Sequence, residues 1–182
     1  MTENASGEPL TSQDDGLTWS QRIIEQGLPL EEWPTELAAL PPNDERLLVI
    51  ARTENTKDNS LCAQFQLQST DYGETWTRMR TNITDVNRST PSLIQNGPLV
   101  SLYYYERGRG ILKRRVARIA DVWDNPCAWP PPAPIARGSE VMVDAGNANA
   151  VPLNGQHVIA FYSGTAPDTA ILTVTVNAPS SP

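Results

Sequence analysis

The sequence predicts an all-β chain built from repeated antiparallel units. Three observations support this fold class: a motif that recurs in the same register, turn residues spread along the chain, and the lack of a long helical pattern. The chain has 16 prolines and 11 glycines, and short segments rich in Val, Ile, Leu, Tyr and Phe lie between them. Segments of this kind, bounded by turn residues, are typical of β-strands.

The recurring motif has the form Ser-x-Asp-x-Gly-x-Thr-Trp and occupies residues 12–19 and 69–76. A degraded third copy at residues 122–129 keeps an aspartate and the final tryptophan. Because tryptophan is rare in proteins, chance would seldom place this pattern twice in one chain. The three copies therefore indicate a structural repeat of roughly 55 residues.

The chemistry of the motif is that of a tight turn. An aspartate carboxylate can accept hydrogen bonds from N–H groups of its own turn, and glycine adopts a positive φ without steric cost. The hydroxyls can complete this network, while the tryptophan packs between neighbouring sheets. We therefore predict a structural rather than a catalytic role for the motif. The residues concerned are Ser12, Asp14, Gly16, Thr18, Trp19, Ser69, Asp71, Gly73, Thr75, Trp76, Asp124 and Trp129.

The motif resembles the Asp box, or bacterial neuraminidase repeat, of the sialidase superfamily. In that family the box joins the third and fourth strands of a four-stranded propeller blade. The resemblance implies a sialidase-like β-propeller, with about three four-stranded antiparallel blades in this chain. The predicted strands are residues 36–40, 46–53, 61–68 and 77–81 in the first blade, 92–95, 99–106, 111–120 and 130–136 in the second, and 148–153, 157–162 and 170–177 in the third.

The last blade of this scheme stops after its third strand, whereas the chain begins with a box and a fourth strand at residues 18–26. We expect residues 18–26 to pair with residues 170–177, within one chain or across two, because this pairing covers an apolar strand edge. The propeller segment is predicted to span residues 12–178. Residues 1–11 are predicted to form a flexible N-terminal tail and residues 179–182 a C-terminal tail.

Three blades are too few for a closed ring, because known propellers have about four to eight. Two copies would restore the six-bladed ring that the family has, so a homodimer is the first expectation. The alternatives are an open half-propeller within a larger assembly and a fragment of a longer product.

The composition limits the kinds of partner expected for this chain. A net charge of −7 argues against nucleic acid, because phosphate binding needs a basic surface. The longest apolar run, residues 47–51, is too short to cross a bilayer, and the polar N-terminus resembles no secretory signal. We therefore expect no membrane insertion, and the sequence leaves the cellular location open. Cys62 and Cys127 are interpreted as free thiols, and with the single histidine, His157, they form no metal site, so no cofactor is predicted.

The resemblance also implies candidate site residues. Sialidases clamp the sugar carboxylate with three arginines and use a Tyr–Glu pair and an aspartate for catalysis. The segment Arg88-Ser-Thr-Pro-Ser-Leu is similar to the Arg-Ile-Pro-Ser-Leu segment of one clamp arginine, with one extra residue that can turn Arg88 away from the channel. Asp144 is a candidate acid, and Asn147 and Asn149 are candidates for binding sugar hydroxyls. An ordinary Gly/Asn-rich loop is the alternative for these three residues.

Two further groups have structural interpretations. In the run Tyr103-Tyr104-Tyr105, the first and third side chains share one strand face and the second lies on the other, as in ordinary strand packing. Arg52 and Glu54 share one side of a predicted strand, and an ordinary surface ion pair is the expectation for them.

The leading hypothesis for function is a non-catalytic, sialidase-like module for glycan binding or assembly, such as a phage tail or capsid accessory protein acting on the virion or outside a cell. The alternative is an active exo-glycosidase of the sialidase type, acting on sialic acid or a related acidic sugar. A purely structural module is the third hypothesis. Two or more arginines in the channel with a carboxylate nearby would favour the enzyme, because fold alone does not determine function.

Overall fold

The computed structural model describes residues 5–7, 10–12, 14–21, 23–40, 45–142 and 145–180. Within these ranges the chain is all-β, and its strands form antiparallel sheets that follow one another along the sequence. The described residues form one α-helix, the short helix α1 (Ile119–Asp124). The predicted fold class, sialidase-like propeller blades, is confirmed.

The N-terminal residues form one interrupted hairpin. Strand β1 pairs with β4 and β2 pairs with β3, so the motif at residues 12–19 forms the tip. The described parts of residues 1–11, predicted to be a flexible tail, are therefore the first arm of this hairpin. The strands are β1 (Ala5–Gly7), β2 (Leu10–Thr11), β3 (Ser20–Gln21) and β4 (Glu25–Leu28).

Blades A and B each have four antiparallel strands in chain order. Blade A contains β5 (Trp33–Ala39), β6 (Leu47–Glu54), β7 (Phe65–Ser69) and β8 (Thr77–Arg80). Blade B contains β9 (Ser92–Asn96), β10 (Leu99–Glu106), β11 (Ile111–Arg118) and β12 (Ala133–Arg137). Every strand predicted for these two blades is present, with its ends shifted by a few residues at most.

Blade C has three strands in the described residues: β13 (Gly146–Leu153), β14 (Gln156–Ser163) and β15 (Ala170–Asn177). The turn between β13 and β14 uses Asn154 and Gly155, with φ values of 49° and 75°. An Asn-Gly pair with both φ values positive suits the twist of a two-residue hairpin.

Apolar clusters fill both sides of blade B. Tyr104 and Trp129 belong to the cluster between blades A and B, whereas Tyr103, Tyr105 and Phe161 belong to the cluster between blades B and C. Every residue of β10 is buried, because blade B is covered on both faces. The tyrosines alternate between the two faces as predicted.

Both complete copies of the motif form the same hydrogen-bonded turn. In the second copy, Asp71 Oδ1 accepts from the Thr75 backbone N–H at 2.9 Å, and Oδ2 accepts from the Thr75 hydroxyl at 2.6 Å. Ser69 Oγ accepts from the Gly73 N–H at 2.8 Å, and Trp76 Nε1 donates to the Gly73 carbonyl at 3.0 Å. These contacts recur in the first copy at Ser12, Asp14, Gly16, Thr18 and Trp19.

Asp71→Ala should lower the thermal midpoint by several degrees, because it leaves the turn N–H groups without their acceptor. Hydrogen bonds from Thr75 lower the pKa of Asp71 from 3.8 to about 2. The stabilisation is therefore complete above about pH 4 and is lost as the pH falls through about 2. Thermal unfolding should show a larger difference between wild type and variant at pH 7 than at pH 2.5.

Asp124→Ala is the matched control for Asp71→Ala. It should leave the midpoint unchanged, because no described group hydrogen-bonds the exposed Asp124 carboxylate. Equal losses in the two variants would contradict the role assigned to Asp71.

The degraded motif at residues 122–129 departs from the predicted turn. Its first residues belong to helix α1, and Asp124 does not take the role predicted for it. Asn125 replaces it, because Asn125 Oδ1 accepts from the Cys127 backbone N–H at 3.0 Å. Trp129 is buried, and its Nε1 donates to Gln66 Oε1 in blade A at 3.2 Å.

The hairpin packs beside blade A rather than joining blade C. Arg78 Nε lies 2.6 Å from the buried carboxylate of Glu25, and Ile24 packs against the apolar cluster on this side of blade A. In the described chain, β15 pairs with β14 alone. The predicted pairing of residues 18–26 with residues 170–177 therefore does not occur within one chain, because these contacts fix the hairpin at the opposite end of the row of blades.

Candidate functional site

The inner strands of the blades bring their polar ends together near the propeller axis. In an antiparallel blade, the start of the first strand and the end of the second strand lie at the same end of the sheet. The first strands β5, β9 and β13 lie side by side, so these positions in the three blades converge. Seven connected polar side chains meet there, and we call them the axial cluster. They are Glu36, Arg52, Glu54, Thr90, Arg107, Asn147 and Tyr162.

Arg52 joins two carboxylates at the blade A end of the axial cluster. Arg52 and Glu54 lie two residues apart on β6, so their side chains share one face, and Glu36 approaches from β5. The Arg52 guanidinium is ion-paired with both carboxylates. Glu36 Oε2 also accepts a hydrogen bond from Thr90 Oγ1 at 2.6 Å, which links blade A to the start of blade B.

Arg107 occupies the other end of the cluster, between blades B and C. Its Nη2 donates to the Tyr162 hydroxyl at 2.7 Å and to Asn147 Oδ1 at 3.3 Å, and its Nη1 donates to the Met142 carbonyl at 3.4 Å. Its Nε is buried without a hydrogen-bond partner, and burial lowers the pKa of Arg107 from its ordinary value. Within the described residues, this guanidinium contacts neutral acceptors and no carboxylate.

The start of β13 makes room for Arg107. Gly146 has φ +128°, and a Cβ at this position would lie 2.6 Å from Arg107 Nε, so a side chain there would displace the guanidinium. Asn147 has φ 50°, and its Oδ1 accepts from the Thr90 backbone N–H at 3.2 Å. An open groove of about 440 Å³ runs beside these residues along the first strands, and the exposed Asn149 lines it.

Only some of the predicted site residues lie at the axial cluster. Asn147 belongs to the axial cluster and Asn149 lies beside it. Arg88 has φ 52° and directs its guanidinium to the Asn59 side chain, in the loop after β6, so it turns away from the cluster. Asp144 lies outside the described residues.

Six residues of the axial cluster, Thr90 among them, were not among the sequence-based candidates. Arg52 and Glu54 were interpreted as an ordinary surface pair, because their shared face says nothing about a third partner. Glu36, Arg107 and Tyr162 carry no local motif. The signal that could have found them is their position, at the start of a first strand or the end of a second strand, which is the end of the sheet that meets the axis.

The tyrosines of β10 hold the blades together. The Tyr103 hydroxyl lies 2.7 Å from His157 Nδ1, in the core between blades B and C. The Tyr105 hydroxyl donates to the Ser139 carbonyl at 2.7 Å. Both side chains therefore have structural partners, as does His157.

A second polar cluster lies between blades A and B. Asp85 accepts hydrogen bonds from Lys113 and Arg115 at 2.7 Å each and from the Tyr104 hydroxyl at 2.9 Å. Lys113 Nζ also lies 2.6 Å from the buried Glu106 carboxylate. Burial acts to raise the pKa of Asp85, but the hydrogen bonds from Lys113 and Arg115 outweigh it and hold the pKa below its ordinary value. The cluster is a charge-balanced network that joins the two blades.

Neither a metal-holding cluster nor a membrane-spanning helix occurs in the described ranges. His, Cys, Asp and Glu side chains there form no group of three placed to hold a metal ion. None of the described helices is long and apolar enough to span a membrane. Cys62 and Cys127 are free thiols.

The fold is similar to that of several solved glycoside hydrolases. The α-L-arabinofuranosidase of Fusarium graminearum, in complex with arabinobiose, has a TM-score of 0.67 and 14% identity over 97% of this chain and 56% of that chain. The α-L-arabinanase of Penicillium chrysogenum has a TM-score of 0.64 and 17% identity over 96% and 56% of the two chains. Trypanosoma rangeli sialidase has a TM-score of 0.61 and 13% identity over 92% and 26%.

This chain spans about half the length of the first two enzymes and about a quarter of the sialidase. No protein-family model matches the sequence, and no curated protein matches it closely enough to indicate a relative. At the identities found, the likeness to solved structures establishes the fold alone. The chain therefore has the fold of the sialidase-like β-propellers and shares it with glycoside hydrolases.

Proposed function

We propose that this chain is a non-catalytic propeller module that binds an acidic glycan at the axial cluster. The observation that carries the proposal is Arg107, a partly buried guanidinium whose described hydrogen bonds all go to neutral oxygens. A sugar carboxylate would give this cation the charged, bidentate partner that guanidinium groups favour.

The surroundings of Arg107 suit a sugar ring. Asn147, Asn149 and Thr90 offer amide and hydroxyl groups beside the groove, and the Tyr162 ring lies next to the Arg107 guanidinium. A volume of about 440 Å³ falls within the range of small-molecule sites. Polar groups of this kind, fixed by strand ends, can orient sugar hydroxyls.

The carboxylates favour binding over hydrolysis. A glycosidase needs one carboxyl group that holds a proton for the leaving group and a second that acts as nucleophile or base. Glu36 and Glu54 are ion-paired with the same guanidinium, that of Arg52, and Glu36 also accepts a hydrogen bond from Thr90, so both carboxylates already serve as acceptors within the cluster. This pairing suits a fixed acceptor site for hydroxyls.

A glycoside hydrolase is the second candidate. Arg52 and Arg107 converge at the axis with Glu36 and Glu54, and this combination was expected to favour an enzyme. The solved structures with a similar fold are also glycoside hydrolases. This chain spans about half the length of the arabinofuranosidase and the arabinanase, so further blades would have to complete such an active site.

Calorimetric titration with sialic acid and with arabinobiose tests the proposal. We expect sialic acid to bind more tightly than the neutral disaccharide, and Arg107→Ala to weaken its binding about 10- to 100-fold, the value of a charge-assisted hydrogen-bond pair. Arg88→Ala is the matched control and should leave affinity unchanged, because Arg88 contacts Asn59. Tighter binding of arabinobiose, or loss of binding in the control alone, would contradict the proposal.

A fluorogenic sialoside assay separates the two candidates. The binding module should give no turnover above background. Turnover that disappears in both Arg107→Ala and Glu36→Gln would establish the hydrolase instead.

A further inference from the structure

The outer edge of blade C differs from the outer edges of blades A and B. In blades A and B a fourth strand, β8 or β12, covers the third strand, whereas β15 is the last strand of its sheet in the described chain. Its eight residues, Ala170–Asn177, include no charged residue and no proline. Edge strands are usually protected by such residues, and β15 lacks both. Ile171 on this strand is 80% exposed.

We infer that β15 is a docking edge for a second copy of this chain, and that the two β15 strands pair antiparallel about a twofold axis. An antiparallel pair of identical strands is self-complementary, as a twofold interface requires. The pairing would join two blades C into one continuous sheet. It would give the backbone groups on both open edges hydrogen-bond partners.

The charges at the two ends of β15 fit this arrangement. Arg114 lies at the Asn177 end, where its Nη1 donates to the Asn177 carbonyl at 2.9 Å. Asp168 lies in the exposed turn that precedes Ala170 at the other end. Antiparallel pairing brings the Asn177 end of one strand beside the Ala170 end of the other, so each Arg114 comes near the partner's Asp168. The twofold axis creates two such pairs of opposite charge.

The N-terminal hairpin of a second copy is a poorer occupant. Its strands already pair with each other, and the contact between Glu25 and Arg78 fixes it to blade A. It also carries exposed apolar side chains, so the experiment must distinguish the two surfaces. Leu17, at the hairpin tip, is 85% exposed, so it offers a control position on the hairpin for substitutions in β15.

Size-exclusion chromatography with light scattering tests the interface. We expect wild type to form a dimer that dissociates on dilution. Thr173→Lys should raise the dissociation constant at least about tenfold, because a twofold axis at Thr173 places the two lysines directly opposite each other. Leu17→Lys adds the same charge at the hairpin tip and should leave the dimer intact. Circular dichroism verifies that both variants are folded.

A charge exchange gives an independent measurement. Asp168→Arg should weaken the dimer, and combining it with Arg114→Asp should restore it, because the exchange rebuilds the pairs with reversed signs. A monomer at every concentration would overturn the inference. A dimer that survives Thr173→Lys and dissociates in Leu17→Lys would overturn it as well, and would assign the contact to the hairpin.

Discussion

Trp129→Ala should lower the free energy of unfolding by about 3–5 kcal/mol, the usual cost of removing a buried tryptophan. Trp129 is 2% exposed and packs in the cluster between blades A and B. Its indole N–H also donates to Gln66, so truncation leaves a cavity and an unpaired amide oxygen together. Chemical denaturation monitored by circular dichroism measures the loss.

Trp19→Ala is the matched control for Trp129→Ala. Trp19 holds the same position in the first copy of the motif but is 61% exposed. Its replacement should cost about 1 kcal/mol or less, since surface substitutions rarely cost more. Similar losses in the two variants would show that the motif position, rather than burial between blades, determines the contribution.

Asp85→Ala should destabilise the fold by about 3 kcal/mol, because removing one partner leaves buried charges uncompensated. Arg115 is 6% exposed and would lose its only carboxylate partner in the described structure. The folded-state pKa of Asp85 lies below its ordinary value, so its contribution is present above about pH 4 and declines as the pH falls below that. Denaturation at pH 7 and at pH 3 should therefore show a smaller effect of the substitution in acid.

A double-mutant cycle identifies the cause of this loss. In an Arg115→Met background the same Asp85→Ala change should cost much less, because the buried cation is already absent. An equal cost in both backgrounds would mean that Asp85 acts through Lys113 or through backbone geometry instead.

The sequence predicted the parts of the fold that depend on neighbouring residues. Asp71, Gly73 and Thr75 lie within one turn, so their hydrogen bonds follow from spacing alone. The alternation of the tyrosines in β10 likewise follows from strand geometry. The prediction failed for Asp124, since a proline follows two residues later in place of the glycine that the other two motifs use to close the turn.

The axial cluster could not be predicted in the same way, because its members meet through long-range packing. Arg107 takes its direction from Tyr162 and Asn147, which belong to another blade, and from the space left by Gly146. Glu36 reaches Arg52 from the neighbouring strand, β5. The segment Arg88-Ser-Thr-Pro-Ser-Leu suggested a site, but the positive φ of Arg88 turns its side chain toward Asn59 and away from the cluster.

The complete burial of β10 has a consequence for how this chain opens. Blades A and C each pack one face against blade B, while blade B packs both faces. Opening the N-terminal hairpin or blade C exposes one interface, but opening blade A or blade B exposes two at once. Local unfolding therefore begins at the ends of the row, and its cost rises toward the middle. Blade B is the unit through which the two outer blades, which share no large core, become one cooperative structure.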